Sequence, residues 1–279
     1  MGLDGRIMAG LCSIDAIHPF IVVFAAFKDF VKCYGVPEPK KKEDIMRSAL
    51  SETYFCDISH PALRACAASL VKKLDTAEKD DPRAVARACF SFVRDRIFTG
   101  YDLYETRASE ILEKGYGICW GKSLLLMALL RCCGIEAVFG TVAVHRSFVA
   151  PLIGAWHWLA NSPYHHCLVH ARLGKGWTVL DPVLDPLTYE TFFVPAGVAW
   201  GIDWDGRSHC ILYRDKLMGD PVPHEDIDAA IRDKAGNREL PPMVTRRVND
   251  YFNTRIWKKT GQRPSGYRPG ADGSAPAYI

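Results

Sequence analysis

Apolar residues recur at three- and four-residue spacing through HPALRACAASLVKKL (60–74) and RAVARACFSFVRDRI (83–97), which predicts two helices joined by the polar stretch DTAEKDDP. Ser109 with the following EILEKG reads as a short capped helix closed by Gly115. CWGKSLLLMALLRCC then reads as a long, very apolar helix that starts near Trp120 and is stopped by Gly134. Beyond Gly134 the pattern shortens to strand-like runs: IEAVFGTVAV (135–144), HHCLVHARL (165–173) and WTVLDPV (177–183), the last two joined by a turn at Gly174-Lys175-Gly176. Helices first and an antiparallel sheet second make an α+β fold. Downstream, HCILYRD (209–215) reads as a strand, and EDIDAAIRDKA and TRRVNDYFNTRIWKK as helices.

Four segments follow from these patterns: an N-terminal helical extension over 1–59, a core over 60–195, a C-terminal extension packed on the core over 196–260, and a flexible tail over 261–279. Within the first, residues 19–34 form a predicted helix with Pro19 in its first turn, and GVPEPKKKED (35–44) is a linker whose Lys40, Lys41 and Lys42 are solvated. The apolar run FIVVFAAF (20–27) is far shorter than the roughly 20 residues a membrane span requires.

The chain is 48% hydrophobic and 24% charged, ordinary for a globular protein, and its net charge of +3 is too small to point to nucleic acid or an anionic membrane. Its 10 cysteines lie mostly inside apolar periodic segments without a C-x-x-C pair, which predicts reduced thiols and a cytoplasmic setting. The opening MGLDGRIMAG has no apolar core flanked by basic residues, and Arg6 stands where a myristoylation signal needs Ser or Thr.

Cys119 opens the long apolar helix, after Gly115 and Gly117. A thiol there feels the positive end of the helix dipole, which favours the thiolate, and its own N–H is available to a developing oxyanion. Packing is the competing reading of a cysteine beside Trp120. A nucleophilic cysteine needs a base and a group that orients the base. If Gly174-Lys175 is a two-residue turn, paired residues sum to 349, so Asp181 lies opposite Leu168 and shares a face with His166 and His170, while His165 points the other way. By the same register Asp185 falls opposite Tyr164, beyond the histidines. Strand alternation also splits His165, His166, Cys167 and His170 between faces, so they make a poor zinc set, and no metal is expected.

ASEILEKGYGICWGKSLLLMALLRCCGIEA followed by HHCLVHARLGKGWTVLDP resembles the core of the transglutaminase-like superfamily over roughly residues 60–185. The resemblance implies a papain-like fold and a Cys-His-Asp triad of Cys119, His166 and Asp181, with no cofactor. His170 falls where many members carry Glu, and Leu168 where members commonly carry Trp. Tyr116 and Trp120 flank the nucleophile and, with Leu168, are candidates for shaping the oxyanion site or acyl channel. HRSFVAPLIGAWHWLANSPY (145–164), with Trp156 and Trp158, reads either as a packed loop or as a lid over an apolar acyl group. The implied chemistry is attack of Cys119 on an amide or thioester carbonyl, giving an acyl-enzyme resolved by water or by an amine. The expected partner is a small-molecule or peptide acyl donor, or one tethered to an acyl carrier protein, and neither nucleic acid nor membrane. A non-catalytic scaffold that binds a protein partner through the same groove is the alternative.

Overall fold

The computed structural model describes residues 49–264 except 199 and 239, together with Gly266. The predicted helix over 19–34, the 35–44 linker and most of the 261–279 tail lie outside the described residues.

Helix α1 (Pro61–Lys72) and helix α2 (Pro82–Arg96) each begin on proline, whose missing N–H costs nothing in a first turn, and each is capped by a side chain, His60 and Asp81 respectively. A single turn, Thr76–Lys79, joins them. Strand β1 (Phe98–Thr99) follows, and helix α3 (Ala108–Lys114) ends at Gly115 with φ +71°, in the left-handed region that glycine occupies without a Cβ penalty. The backbone cap of α3 is Arg107, two residues before the expected Ser109. Asp57, 52 residues upstream, accepts from the Ser109 N–H at 3.1 Å and the Ser109 hydroxyl at 2.5 Å, so the capping function comes from a remote carboxylate.

Strand β2 (Tyr116–Gly117) pairs with β1 in parallel, and helix α4 (Cys119–Cys132) starts immediately after it. Every residue from Cys119 to Arg131 is buried, as a helix apolar all round requires. Helices α1, α2 and α3 contact α4, as do strands β3 (Ala137–Val144) and β4 (Tyr164–Leu173), so the helix is the axis of the core. Strand β5 (Gly176–Leu180) completes the hairpin after β4, and β6 (Val222–Pro223) adds a short edge, giving the antiparallel order β5-β4-β3-β6. The β4–β5 register runs from Leu173↔Gly176 to Val169↔Leu180, the pairing a two-residue turn at Gly174-Lys175 imposes.

The HCILYRD segment is not a strand. Its amides serve other acceptors: Cys210 N–H bonds the Val179 carbonyl at 2.8 Å and Leu212 N–H bonds Asp181 Oδ2 at 3.2 Å. Tyr213 then turns the chain with φ 57°, which no ladder accommodates. Helix α5 (Ile227–Arg232) and the long helix α6 (Pro242–Thr260) follow. Helix α6 grips the β1–α3 connection: the Trp257 indole N–H donates to Thr99 O at 3.1 Å, and Asn253 both accepts from Tyr101 N–H at 2.6 Å and donates to Tyr101 O at 2.8 Å.

A buried thiol, imidazole and carboxylate

Cys119 is the first residue of α4, where the leading amides of a helix have no intrahelical acceptor and the dipole favours negative charge. His166 lies near the start of β4 and Asp181 directly after β5. Their side chains meet through a 2.7 Å contact between His166 Nε2 and Asp181 Oδ2, with both side chains fully buried. The Leu212 N–H is a second donor to that carboxylate oxygen. With Nε2 committed, Nδ1 is the nitrogen left to exchange a proton with the thiol, and it makes no conventional hydrogen bond.

Burial alone would lower the affinity of His166 for a proton. The Asp181 charge and hydrogen bond outweigh burial, and with the thiol of Cys119 they raise the imidazole to about 10. Burial would likewise raise the Cys119 thiol, but the adjacent Cys167 thiol and backbone and the charge of the His166 imidazolium hold it well below the ordinary thiol range. Burial and the neighbouring Cys119 keep the Cys167 thiol well above its ordinary value, so it stays protonated beside Cys119. Both shifts favour a thiolate–imidazolium pair, a state in which sulfur is nucleophilic at neutral pH.

Aromatic rings enclose the pair. Phe148 and Tyr213 set their rings edge-on to His166 at centroid distances of 5.9 and 4.9 Å, and the Tyr164 hydroxyl lies 3.9 Å from Cys119 Sγ. Tyr104 stacks on Trp120 at 3.8 Å, and Trp120 donates its indole N–H to Leu103 O, which takes that group away from an oxyanion role. Cys119 is only 2% exposed. Neither the cleft of about 310 Å³ lined by Trp200, Trp204 and Cys210 nor the groove of about 790 Å³ lined by Val71 and Cys132 includes Cys119, His166 or Asp181.

The other candidates are dispersed. Leu168 is fully buried against Gly140 of β3, where an added Cβ would lie 3.0 Å from its Cδ1. His170 covers the same glycine and is lowered to about 4 by burial and by the charges of His209 and His224; its Nε2 has no partner and it does not bond Asp181. Tyr116 packs edge-on against Trp257. Trp156 and Trp158 sit on the 154–159 turn with 43% and 64% of their surface exposed, and Arg146 stacks over Trp158. From the 145–164 connection it is Phe148 and Tyr164, not the tryptophans, that reach the thiol–imidazole pair. Asp185 caps the turn at Pro186–Thr188, accepts from Thr99 N–H and Gln262, and has no contact with His166. Among the described residues no group of three His, Cys, Asp or Glu is arranged to hold a metal ion.

Sequence reasoning did not find Cys167, Tyr164, Tyr213 or the Leu212 amide. Tyr164 carried a usable signal, since two residues before His166 puts it on the same face of β4. The others depend on chain segments that meet only in three dimensions.

Two solved structures were compared. The chain is 18% identical to a candidate cysteine protease from Cytophaga hutchinsonii, covering 66% of this chain and 54% of that one with a TM-score of 0.38. It is 15% identical to red sea bream transglutaminase, covering 81% of this chain and 47% of that one with a TM-score of 0.39. The chain thus spans about half the length of each. No curated protein matches the sequence. The sequence profile of the transglutaminase-like superfamily matches residues 68–182, a span that opens in α1 and takes in Cys119, His166 and Asp181. By that match, residues 68–182 of this chain are a transglutaminase-like superfamily domain.

Proposed function

We propose that the protein performs cysteine-dependent acyl transfer or hydrolysis at an amide or thioester carbonyl. The superfamily has a cysteine-based catalytic fold, and the observation that carries the finer reading is the fully buried His166–Asp181 contact beside a thiol held as thiolate at a helix N-terminus. In this reading Cys119 attacks the carbonyl and the Cys119 N–H stabilises the tetrahedral oxyanion. The His166 imidazolium protonates the leaving amine or thiol, and Asp181 fixes the ring and its charge. The neutral imidazole then activates water or an acceptor amine to release the acyl group. The apolar surroundings of the thiol favour an apolar acyl donor, either small or carried on an acyl carrier protein.

The test is exposure of the protein to an activated thioester, with acyl-enzyme read by intact and peptide mass. An adduct on Cys119 that is lost in His166→Ala supports the reading. Acylation of other cysteines at equal rate overturns it. The near-complete burial of Cys119 favours a second reading, a closed scaffold that binds a protein partner. That reading predicts a Cys119 inert to acyl donors and also to small alkylating agents.

A further inference from the structure

The opposite end of α4 carries a second sulfur site. Cys89 of α2 and Cys133, the C-cap of α4, bring their sulfur atoms to 4.0 Å, with Cys89 buried and Cys133 partly exposed. Cys133 opens onto the groove of about 790 Å³ between α1, α2 and the end of α4. The lining of that groove includes Arg64, Lys72, Lys79 and Arg131, and no Asp or Glu. Its floor is apolar, from residues such as Ala67 and Val71. A basic rim over an apolar floor suits a small anionic molecule. A partly exposed thiol with a second thiol in reach suits exchange with a disulfide.

We propose that Cys133 and Cys89 form a dithiol exchange site, separate from the Cys119 site, that takes an anionic low-molecular-weight disulfide in this groove. The Cys133 thiolate displaces one thiolate from the incoming disulfide and becomes a mixed disulfide. The Cys89 proton passes to the departing thiolate, and the Cys89 sulfur attacks Cys133 and expels the second half as a thiolate, which takes up from water the proton that Cys133 released on ionising. The bound disulfide gains two electrons and becomes two thiols, and the protein's two thiols become one disulfide.

Charge is distributed to suit this order of events. Donation from the Cys89 thiol holds Cys133 below the ordinary thiol range against its own burial, whereas the neighbouring Cys132 is pushed up to about 11 by burial and by Cys133, and burial and Cys133 also raise Cys66. The negative end of the α4 dipole opposes a thiolate at a C-cap, so Cys133 depends on the Cys89 hydrogen bond. Bond formation brings the two sulfurs from 4.0 Å to about 2.05 Å.

The experiment uses the full chain, reduced, as Cys119→Ser so that the other reactive thiol does not compete, with oxidised glutathione as the anionic probe and cystamine as the cationic one. Each rate is divided by that of the urea-unfolded protein, which removes intrinsic differences between the probes. Oxidised glutathione should give a product lacking two hydrogens with Cys89 linked to Cys133. Adding Cys89→Ser should stop the reaction with one glutathione on Cys133. The anionic probe should react about tenfold faster than the cationic one, and Lys72→Ala with Lys79→Ala should narrow that ratio to within about threefold. An adduct on Cys66 or Cys132 in the Cys89→Ser protein, or equal rates for the two probes, overturns the proposal. None of these outcomes depends on whether Cys119 forms an acyl-enzyme.

Discussion

Replacing Asp181 with Asn removes one negative charge and leaves an amide oxygen that can still accept from His166 Nε2, so it isolates charge from positioning. Burial alone drives His166 below its usual 6.5, and the carboxylate more than reverses this, to about 10. Without that charge the buried ring is neutral at pH 6. Cys119 then loses the imidazolium charge, and only the Cys167 contacts still oppose burial, so the thiol's affinity for a proton rises. The limit is a full return to an ordinary thiol, which at pH 6 is ionised in roughly one molecule in several hundred to a thousand. The more basic thiolate is the better nucleophile, with a Brønsted coefficient near 0.4–0.5, which restores roughly half of that loss on a logarithmic scale. Alkylation of Cys119 at pH 6 should therefore fall, by up to about 1,000-fold at that limit, and should recover to within a few-fold near pH 9.5. The assay is labelling by limiting iodoacetamide from pH 5 to 9.5, read cysteine by cysteine by peptide mass spectrometry, the other thiols serving as internal standards. A variant with unchanged circular dichroism that labels within threefold of the wild type at pH 6 would refute the ion-pair account.

Three further outcomes follow from the same geometry. His166→Ala should abolish acyl-enzyme formation and His165→Ala should leave it largely intact, as measured by acyl adduct mass, because only His166 reaches Asp181. Lys122, fully buried, donates to the Arg94 and Ile97 carbonyls at the end of α2. Lys122→Met orphans these acceptors and removes the cation near Asp185, which should cost about 2–4 kcal/mol in urea unfolding at pH 7. Burial lowers Lys122 to about 8 from 10.5, so between those values the unfolded chain binds more protons and wild-type stability rises with pH; the gap to Lys122→Met should widen across that window. A Cβ on Gly140 would stand 2.5 Å from His170 Nε2, so Gly140→Ala should cost about 1–3 kcal/mol of unfolding free energy, and adding His170→Ala should restore part of it.

Periodicity made the fold legible wherever one local rule governed a segment. The all-apolar stretch from Cys119 onward became the buried axis, and the Gly174-Lys175 turn fixed a register that set His166 and Asp181 on one face. The failures have a common cause in long-range polar bonding. HCILYRD has strand-like alternation, but the Asp181 carboxylate and the Val179 carbonyl claim its amides and Tyr213 turns the chain. Ser109 has the chemistry of a cap, but Asp57 supplies the acceptor. Lys122 sits in an otherwise apolar stretch, and nothing local announces that it closes the end of α2. The aromatic enclosure of the thiol was equally hidden, because Phe148, Tyr164 and Tyr213 come from three separate places in the chain.

The complete burial of α4 also constrains the order of folding. During synthesis the helix emerges after α1, α2 and α3 but before any of the four-stranded sheet, so those helices can cover only part of its surface. The rest stays wet until β3 and β4 are made, and His166 follows Cys119 by 47 residues (166 − 119). At roughly 5–20 residues per second, a nascent chain presents that bare hydrophobic flank for several seconds. Chaperone engagement should therefore peak in chains stalled between α4 and β4 and fall once the β4–β5 hairpin is complete. The acid-pH reactivity of Cys119 arises only after His166 and Asp181 have arrived, which makes this thiol a chemical clock for the last long-range step of assembly.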